Sequence, residues 1–235
     1  MTGAMSSRMS GEDLRDLLLI FLTFGSGAVD AVSFLGLGKV FTAMMSGNIV
    51  LLGLAVGSAA GSEAVRSAVS VLGYASGVFI GTRLVRRRAE RSLWPTGLTV
   101  SLVVAAAAQS GLLVGWLASS AHPGRPLEAV LVGASAIAMG LQSGAVARLR
   151  VSGVTTTYVT GTLTGLMGAL ALGSGANRDL VRRGAVLGAL LAGAACSALL
   201  LKGAREAAPA LQLGVTLLVI GVATYRLDPI GRDPR

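Results

Sequence analysis

An all-α, polytopic transmembrane helix bundle is what this chain of 235 residues predicts, on three observations. The composition is 53% hydrophobic and only 13% charged, the mean hydropathy is +0.72, and long apolar runs alternate with arginines. A helix rising 1.5 Å per residue needs roughly 20 apolar residues to cross a hydrocarbon core about 30 Å thick, and soluble domains seldom offer even one such run. Eight are present here, at 17–37, 41–60, 67–85, 95–118, 127–147, 155–173, 184–201 and 209–226.

The first run is preceded by Glu12, Asp13 and Asp16, an acidic flank that a signal peptide would not carry, so it is expected to be a span. It contains Asp30, a carboxylate inside an apolar helix, which must face protein or water because lipid would solvate it poorly. The second run is interrupted by Ser46-Gly47-Asn48 and the sixth by Thr160-Gly161-Thr162, the latter following Thr155, Thr156 and Thr157. Both are poor continuous helices. In the third run Gly73, Gly77 and Gly81 recur every four residues, which places them on one face for close helix packing or for sliding, and Gly184 and Gly188 echo them in the seventh. Trp94 and Trp116, 22 residues apart at the ends of the fourth run, suit two interfacial belts. The fifth run contains Gln142 within Gly140-Leu-Gln142.

Charge decides between topologies. The net charge of +9 comes from arginines lying between apolar runs, which reads as orientation in the bilayer and not as a nucleic-acid surface. If all eight runs cross, the 20 Lys and Arg residues divide evenly between the two sides. If the second and sixth enter and leave on one side, 15 fall inside with the N-terminus, leaving Lys39, Arg66, Arg125, Lys202 and Arg205 outside. Six spans with two interrupted, re-entrant segments is therefore the favoured reading, and eight spans the alternative. Arg86, Arg87 and Arg88 are read as topogenic, with anionic lipid as a further contact.

A shift of 114 residues aligns 31–55 with 145–169 at 8 identities in 25, including Val40/Val154, Thr42/Thr156 and Gly47/Gly161 in the interrupted stretches. Two halves of three spans each would then lie in opposite orientations, an inverted repeat of the kind secondary transporters use. The expected organisation is a cytoplasmic tail over 1–16, repeat 1 over 17–118, an external loop over 119–126, repeat 2 over 127–226 and a cytoplasmic tail over 227–235.

Gly27-x-Val-Asp-Ala31, the Thr-x-x-x-Ser-Gly-Asn run ending at Asn48, Gly140-Leu-Gln142 and Thr157-Tyr-Val-Thr-Gly-Thr162 together resemble the YoaK family of bacterial membrane proteins, over nearly the whole chain. The resemblance implies a multi-pass protein of the bacterial plasma membrane with about six helices and a small-molecule transport role without an agreed substrate.

Residue chemistry supplies the candidate mechanism. Half-helix N-termini at Ser46, Gly47, Asn48 and at Thr160, Gly161, Thr162 would offer free N–H groups and a positive dipole end to a polar or anionic solute, with Gln142 and Asp30 completing a pathway between the halves. Asp30 reads either as a proton or cation coupling site or as a structural carboxylate capping a half-helix, and the polar breaks either as a binding site or as satisfaction of kinked backbone. The expected function is secondary transport of a small polar or anionic molecule, with proton coupling open. A non-transporting scaffold or lipid-binding oligomer is the alternative. An intramembrane enzyme is disfavoured, because no nucleophile–base pair is apparent. With one cysteine, Cys196, and one histidine, His122, no metal or cofactor is expected; the expected partners are the lipid bilayer and an unknown solute, with a homo-oligomer open and no nucleic acid.

Overall fold

The computed structural model describes residues 10–85, 92–149, 151, 159–173 and 176–227. Among them the chain is helical throughout, without strands. The helices are α1 (Gly11–Gly36), α2 (Met45–Gly57), α3 (Gly61–Leu84), α4 (Thr96–Ala118), α5 (Arg125–Ala147), α6 (Val159–Ala171), α7 (Asn177–Gly203) and α8 (Ala208–Arg226), with a 3-10 turn at Arg205–Ala207 before the last. Six of these are long and apolar enough to cross a membrane, whereas α2 and α6 are short apolar helices of 13 residues each. At 1.5 Å per residue such a helix reaches only about 20 Å, two thirds of a hydrocarbon core.

The helix α1 begins ahead of its apolar run because Ser10 caps it. The Ser10 hydroxyl accepts from the Asp13 amide at 3.1 Å while the Asp13 carboxylate accepts from the Ser10 amide at 3.3 Å, a reciprocal capping box. Packing then sorts the helices into pairs. α3 lies along α5 and α1 along α7; α4 packs on α5 and α8; α8 packs on α1; the short α2 rests on α3 and the short α6 on α7. α1, α4, α5 and α8 form the centre, and α3 and α7 flank them.

The glycines explain the two tightest pairings. A β-carbon at Gly77 or Gly81 would overlap the Ile137 or Leu141 carbonyl of α5, and one at Gly140 or Gly144 would overlap the Tyr74 or Val78 carbonyl of α3. Backbone meets backbone there, with no room for a side chain. Across α1 and α7 the same contact involves Gly27 against the Leu190 carbonyl and Gly193 against the Phe24 carbonyl. Gly184 and Gly188, read as the second-half echo, have nothing near the place a β-carbon would take; Gly193 has the packing role instead.

Both tryptophans are fully buried, Trp94 at 1% and Trp116 at 0% exposure, so neither is a lipid-interface anchor. Trp94 Nε1 donates to Thr99 Oγ1 at 3.0 Å and Trp116 Nε1 to the Arg205 carbonyl at 3.0 Å, beneath the Arg205 guanidinium 5.3 Å from its ring. Helix spacing placed them correctly at the ends of α4 but could not tell which face they occupy.

Candidate functional site

Between α1 and α2 the chain turns back into the bundle. Asp30 lies six residues before the end of α1, about 9 Å down the helix, and its Oδ1 accepts from the amides of Thr42 at 2.8 Å and Ala43 at 2.7 Å. These amides immediately precede α2, whose N-cap residue Met44 contributes no side-chain cap. A carboxylate from another helix therefore fixes the turn that leads into α2, near the dipole end where negative charge is favoured.

Asn48 fixes the other side of the same turn. Its Oδ1 accepts from the Phe41 amide at 2.9 Å, and its Nδ2 donates to the Phe41 carbonyl at 2.5 Å and to Ser70 Oγ of α3 at 2.9 Å. Ser70 Oγ in turn donates to the Phe41 carbonyl at 2.6 Å. Thr42 is the hub: its hydroxyl lies 3.1 Å from Ser33 Oγ of α1 and accepts from Ser135 Oγ of α5 at 3.1 Å. Asp30, Ser33, Thr42, Asn48, Ser70 and Ser135 are all buried. With Asn48 beside Ser70 and α2 ending next to the start of α3, α2 returns toward the end of the bundle from which the chain turned inward. Arg66 of α3 packs on Gly38 there and pairs with Glu128 of α5 at 3.4 Å.

The remaining candidates divide. Ser46 is exposed and takes no part in the cluster; Gly47 sits under the Phe41 ring, which stacks on Phe34 with centroids 5.0 Å apart. In the second half Thr162, aligned with Asn48, is buried, Gly161 half-buried and Thr160 exposed. The stretch 152–158 before them, with Thr155, Thr156 and Thr157, lies outside the described residues, as do Arg86, Arg87, Arg88 and most of both tails. Gln142 is buried, but away from Asp30: its Nε2 donates to Ser26 Oγ at 3.3 Å and to the Leu22 carbonyl at 3.4 Å, both on α1. So the structure joins Asp30 to Asn48 through the 37–44 loop and leaves Gln142 as a separate tie between α1 and α5. Beside this turn an apolar groove of about 420 Å³ opens between α1 and α7, lined by Gly27, Asp30, Phe34, Phe41, Leu190 and Ala194 among others.

Several polar positions escape the sequence reading. Ser33, Ser70 and Ser135 are unremarkable hydroxyls in apolar runs. Gln109 and Gln212 are more legible, being amides within apolar runs, where polar groups carry a cost in lipid. At the other end of the bundle Asp16 of α1 pairs with Arg15 at 2.8 Å and with Arg182 of α7 at 3.0 Å, and Asp179 accepts from Arg182 at 2.5 Å and Arg183 at 2.9 Å. Arg178 adds a further pair with Asp13.

A sequence model of the family described as Protein of unknown function (DUF1275) matches residues 18–223, from the first turns of α1 to the end of α8. The chain belongs to the DUF1275 family. UPF0700 transmembrane protein YoaK of Bacillus subtilis (strain 168) is 36% identical to it over 159 residues, 68% of this chain and 68% of that protein. No solved structure matches the chain. The DUF1275 match contains Asp30, Asn48, Gln142 and both short helices, so this architecture falls within the family's matched region. With a transmembrane relative and six long apolar helices, this DUF1275 chain is a multi-pass membrane protein.

Proposed function

We propose that the protein is a secondary transporter of a small polar molecule, built as an inverted repeat with its solute held between the halves and performing no enzymatic step. The observation that carries this reading is the packing list. Exchanging α1–α4 for α5–α8 turns each close pair into another: α3 on α5 becomes α7 on α1, α4 on α5 becomes α8 on α1, and α2 on α3 becomes α6 on α7. The glycine contacts repeat in the same way. Gly27 with Gly193 and Gly144 with Gly81 make the same kind of contact, though not at positions the 114-residue shift superposes: each glycine lies three residues beyond a carbonyl that its partner glycine overlaps. Three long helices and one short helix per half give the halves opposite directions in the membrane, the arrangement of alternating-access carriers. Irregular backbone at membrane depth is tolerated where protein or a cavity receives it, and the 37–44 turn, with Leu37, Val40, Thr42 and Ala43 buried, meets that condition.

Charge supports an orientation. Arg15, Arg148, Arg178, Arg182, Arg183 and Arg226 gather at one end and Lys39, Arg66, Arg125, Lys202 and Arg205 at the other, which favours the N-terminus in the cytoplasm of a bacterial plasma membrane. The Asp30 carboxylate, held by the Thr42 and Ala43 amides just before α2, lies close to the N-terminus of that helix, which disfavours an external anion there and favours an uncharged polar solute. The same engagement favours a second reading, in which Asp30 serves the fold alone and the protein is a membrane scaffold.

Counterflow separates the readings. Proteoliposomes preloaded with a pool of small polar and anionic metabolites are assayed by mass spectrometry with and without an acid-outside gradient. Transport requires at least one solute to exchange faster than in protein-free vesicles. Proton coupling through Asp30 requires Asp30→Asn to abolish the effect of the gradient. Equal flux with and without protein would leave the scaffold.

A further inference from the structure

The buried core is not continuous along the bundle. Each of the four central helices contributes to one apolar cluster near each end and carries a polar residue between them. On α1 Ser26 separates Leu22 from Val29; on α4 Gln109 separates Leu102 from Leu112; on α5 Gln142 separates Met139 from Ala145; on α8 Gln212 and Thr216 separate Ala208 from Val219. One cluster contains Leu22, Leu102, Ala145 and Val219, and the other contains Val29, Leu112, Met139 and Ala208. A polar layer is thereby enclosed between two apolar plugs, with Gln109 of α4 level with Gln212 of α8; Gln142, which meets Ser26 and Leu22, lies nearer the plug that contains Leu22, on the far side of the small apolar cluster of Ala105, Ala138 and Leu141.

The amides in this layer are incompletely paired. Gln109 is 1% exposed, and neither its Oε1 nor its Nε2 has a hydrogen-bond partner among the described residues. Gln212 is 2% exposed; its Nε2 donates to Met139 Sδ at 2.9 Å and its Oε1 is unpartnered. Gln142 makes the two long bonds to α1 already described. A buried amide without partners is costly, and a leucine of similar size would avoid the cost at either position, so folding alone does not account for these side chains. On α4, α5 and α8 no charged residue lies between the plugs, and on α1 the nearest, Asp30, follows Val29 and already accepts from the Thr42 and Ala43 amides. An anion held there would lack a counter-charge, and with the Asp30 carboxylate already engaged a neutral solute would find free amide N–H and C=O groups on α4 and α8.

We propose that this glutamine layer is the solute-binding level of the protein, and that it takes a small uncharged solute with both hydrogen-bond donors and acceptors, such as a short amide or a polyol. The inference rests on the transporter reading and narrows it to a place and a substrate class.

The test is chemical access to the layer. In a Cys196→Ala background, which removes the native exposed thiol, Gln109→Cys, Gln212→Cys and Leu112→Cys are made in the full chain and checked for folding by gel filtration. Membrane vesicles are treated with 2-hydroxyethyl methanethiosulfonate, which is neutral and hydrophilic, and with its anionic 2-sulfonatoethyl analogue. Thiolate formation needs a hydrated site, so both layer cysteines should react with the neutral reagent about tenfold faster than the cysteine in the apolar plug, and about tenfold faster than with the anionic reagent. Equal rates at all three positions would overturn the layer as a solute site, and equal rates for the two reagents would overturn the uncharged class. Gln212→Cys decides the matter if Gln109→Cys does not fold. Counterflow on the same preparations keeps the two claims apart: flux with unreactive layer cysteines removes this site and leaves transport, and reactive cysteines without flux leave a solute-accessible layer and remove transport.

Discussion

Replacing Asp30 tests the hold on the 37–44 turn most directly. Its Oδ1 receives two buried amides, Thr42 at 2.8 Å and Ala43 at 2.7 Å. A hydrogen bond to a charged acceptor contributes about 1.5–3 kcal/mol, so Asp30→Leu, which removes both and strands two N–H groups, is expected to cost about 3–6 kcal/mol. Asp30→Asn keeps an amide oxygen in the same place and retains two neutral bonds of about 0.5–1.5 kcal/mol each, for a smaller loss of about 2–3 kcal/mol. For a chain of this length about 2–4 °C of Tm accompanies each kcal/mol, so Asp30→Leu should melt at least about 6 °C below wild type in detergent, with Asp30→Asn between them. If Leu and Asn melt together, the carboxylate oxygen is not what holds the 37–44 turn, and the reasoning fails.

Gly77→Ala and Gly140→Ala each drive a β-carbon into facing backbone, so each should cost about 1–3 kcal/mol in the same melts, whereas Gly184→Ala, which meets nothing, should gain about 0.5–1 kcal/mol from helix propensity. Asp16→Asn weakens the acceptor of Arg15 and Arg182, whose side chains are less than a fifth exposed, and should lower stability by about 1–3 kcal/mol at neutral pH. Single cysteines at Lys39 and Ser62, both exposed, should react with an impermeant maleimide from the same side of the membrane, and one at Ser92 from the other; labelling of Lys39→Cys and Ser62→Cys from opposite sides would mean that α2 crosses.

Much of this architecture follows from hydropathy and charge. Six runs of sufficient length became six long helices, and among the described residues the two runs broken by Ser46-Gly47-Asn48 and Thr160-Gly161-Thr162 hold the two short apolar helices. Asp30 was legible as a carboxylate that lipid could not solvate, and one of its two readings, the structural one, matches the hydrogen bonds it makes. Helix faces were less legible, because a chain so rich in Ala, Leu, Gly and Val presents apolar residues on every side. That is why Trp94 and Trp116 read as lipid-facing although they are buried, and why Gly184 and Gly188 read as a seam although Gly193 makes the contact. Ser33, Ser70 and Ser135 could not be singled out: a serine in a span can satisfy itself on the preceding turn, as Ser26 does on the Leu22 carbonyl at 3.0 Å, and only the fold reveals which ones reach another helix.

The glycine seams also determine what can move. Backbone-to-backbone contact binds α1 to α7 and α3 to α5, so each tight unit combines a helix from the first half of the sequence with one from the second. Between the units, α1 and α5 touch sparsely, and two features tie them: the long bonds from Gln142 to Ser26 and Leu22, and the Thr42 hub between Ser33 and Ser135. Rocking one unit against the other would break the first tie. It would also strain the second, and with it the loop amides that Asp30 holds. A carboxylate that holds the turn in one arrangement would then lose its donors in the other and face the groove it already borders. In such a cycle the structural and the coupling readings of Asp30 are not rivals, since the proton would bind when the turn lets go.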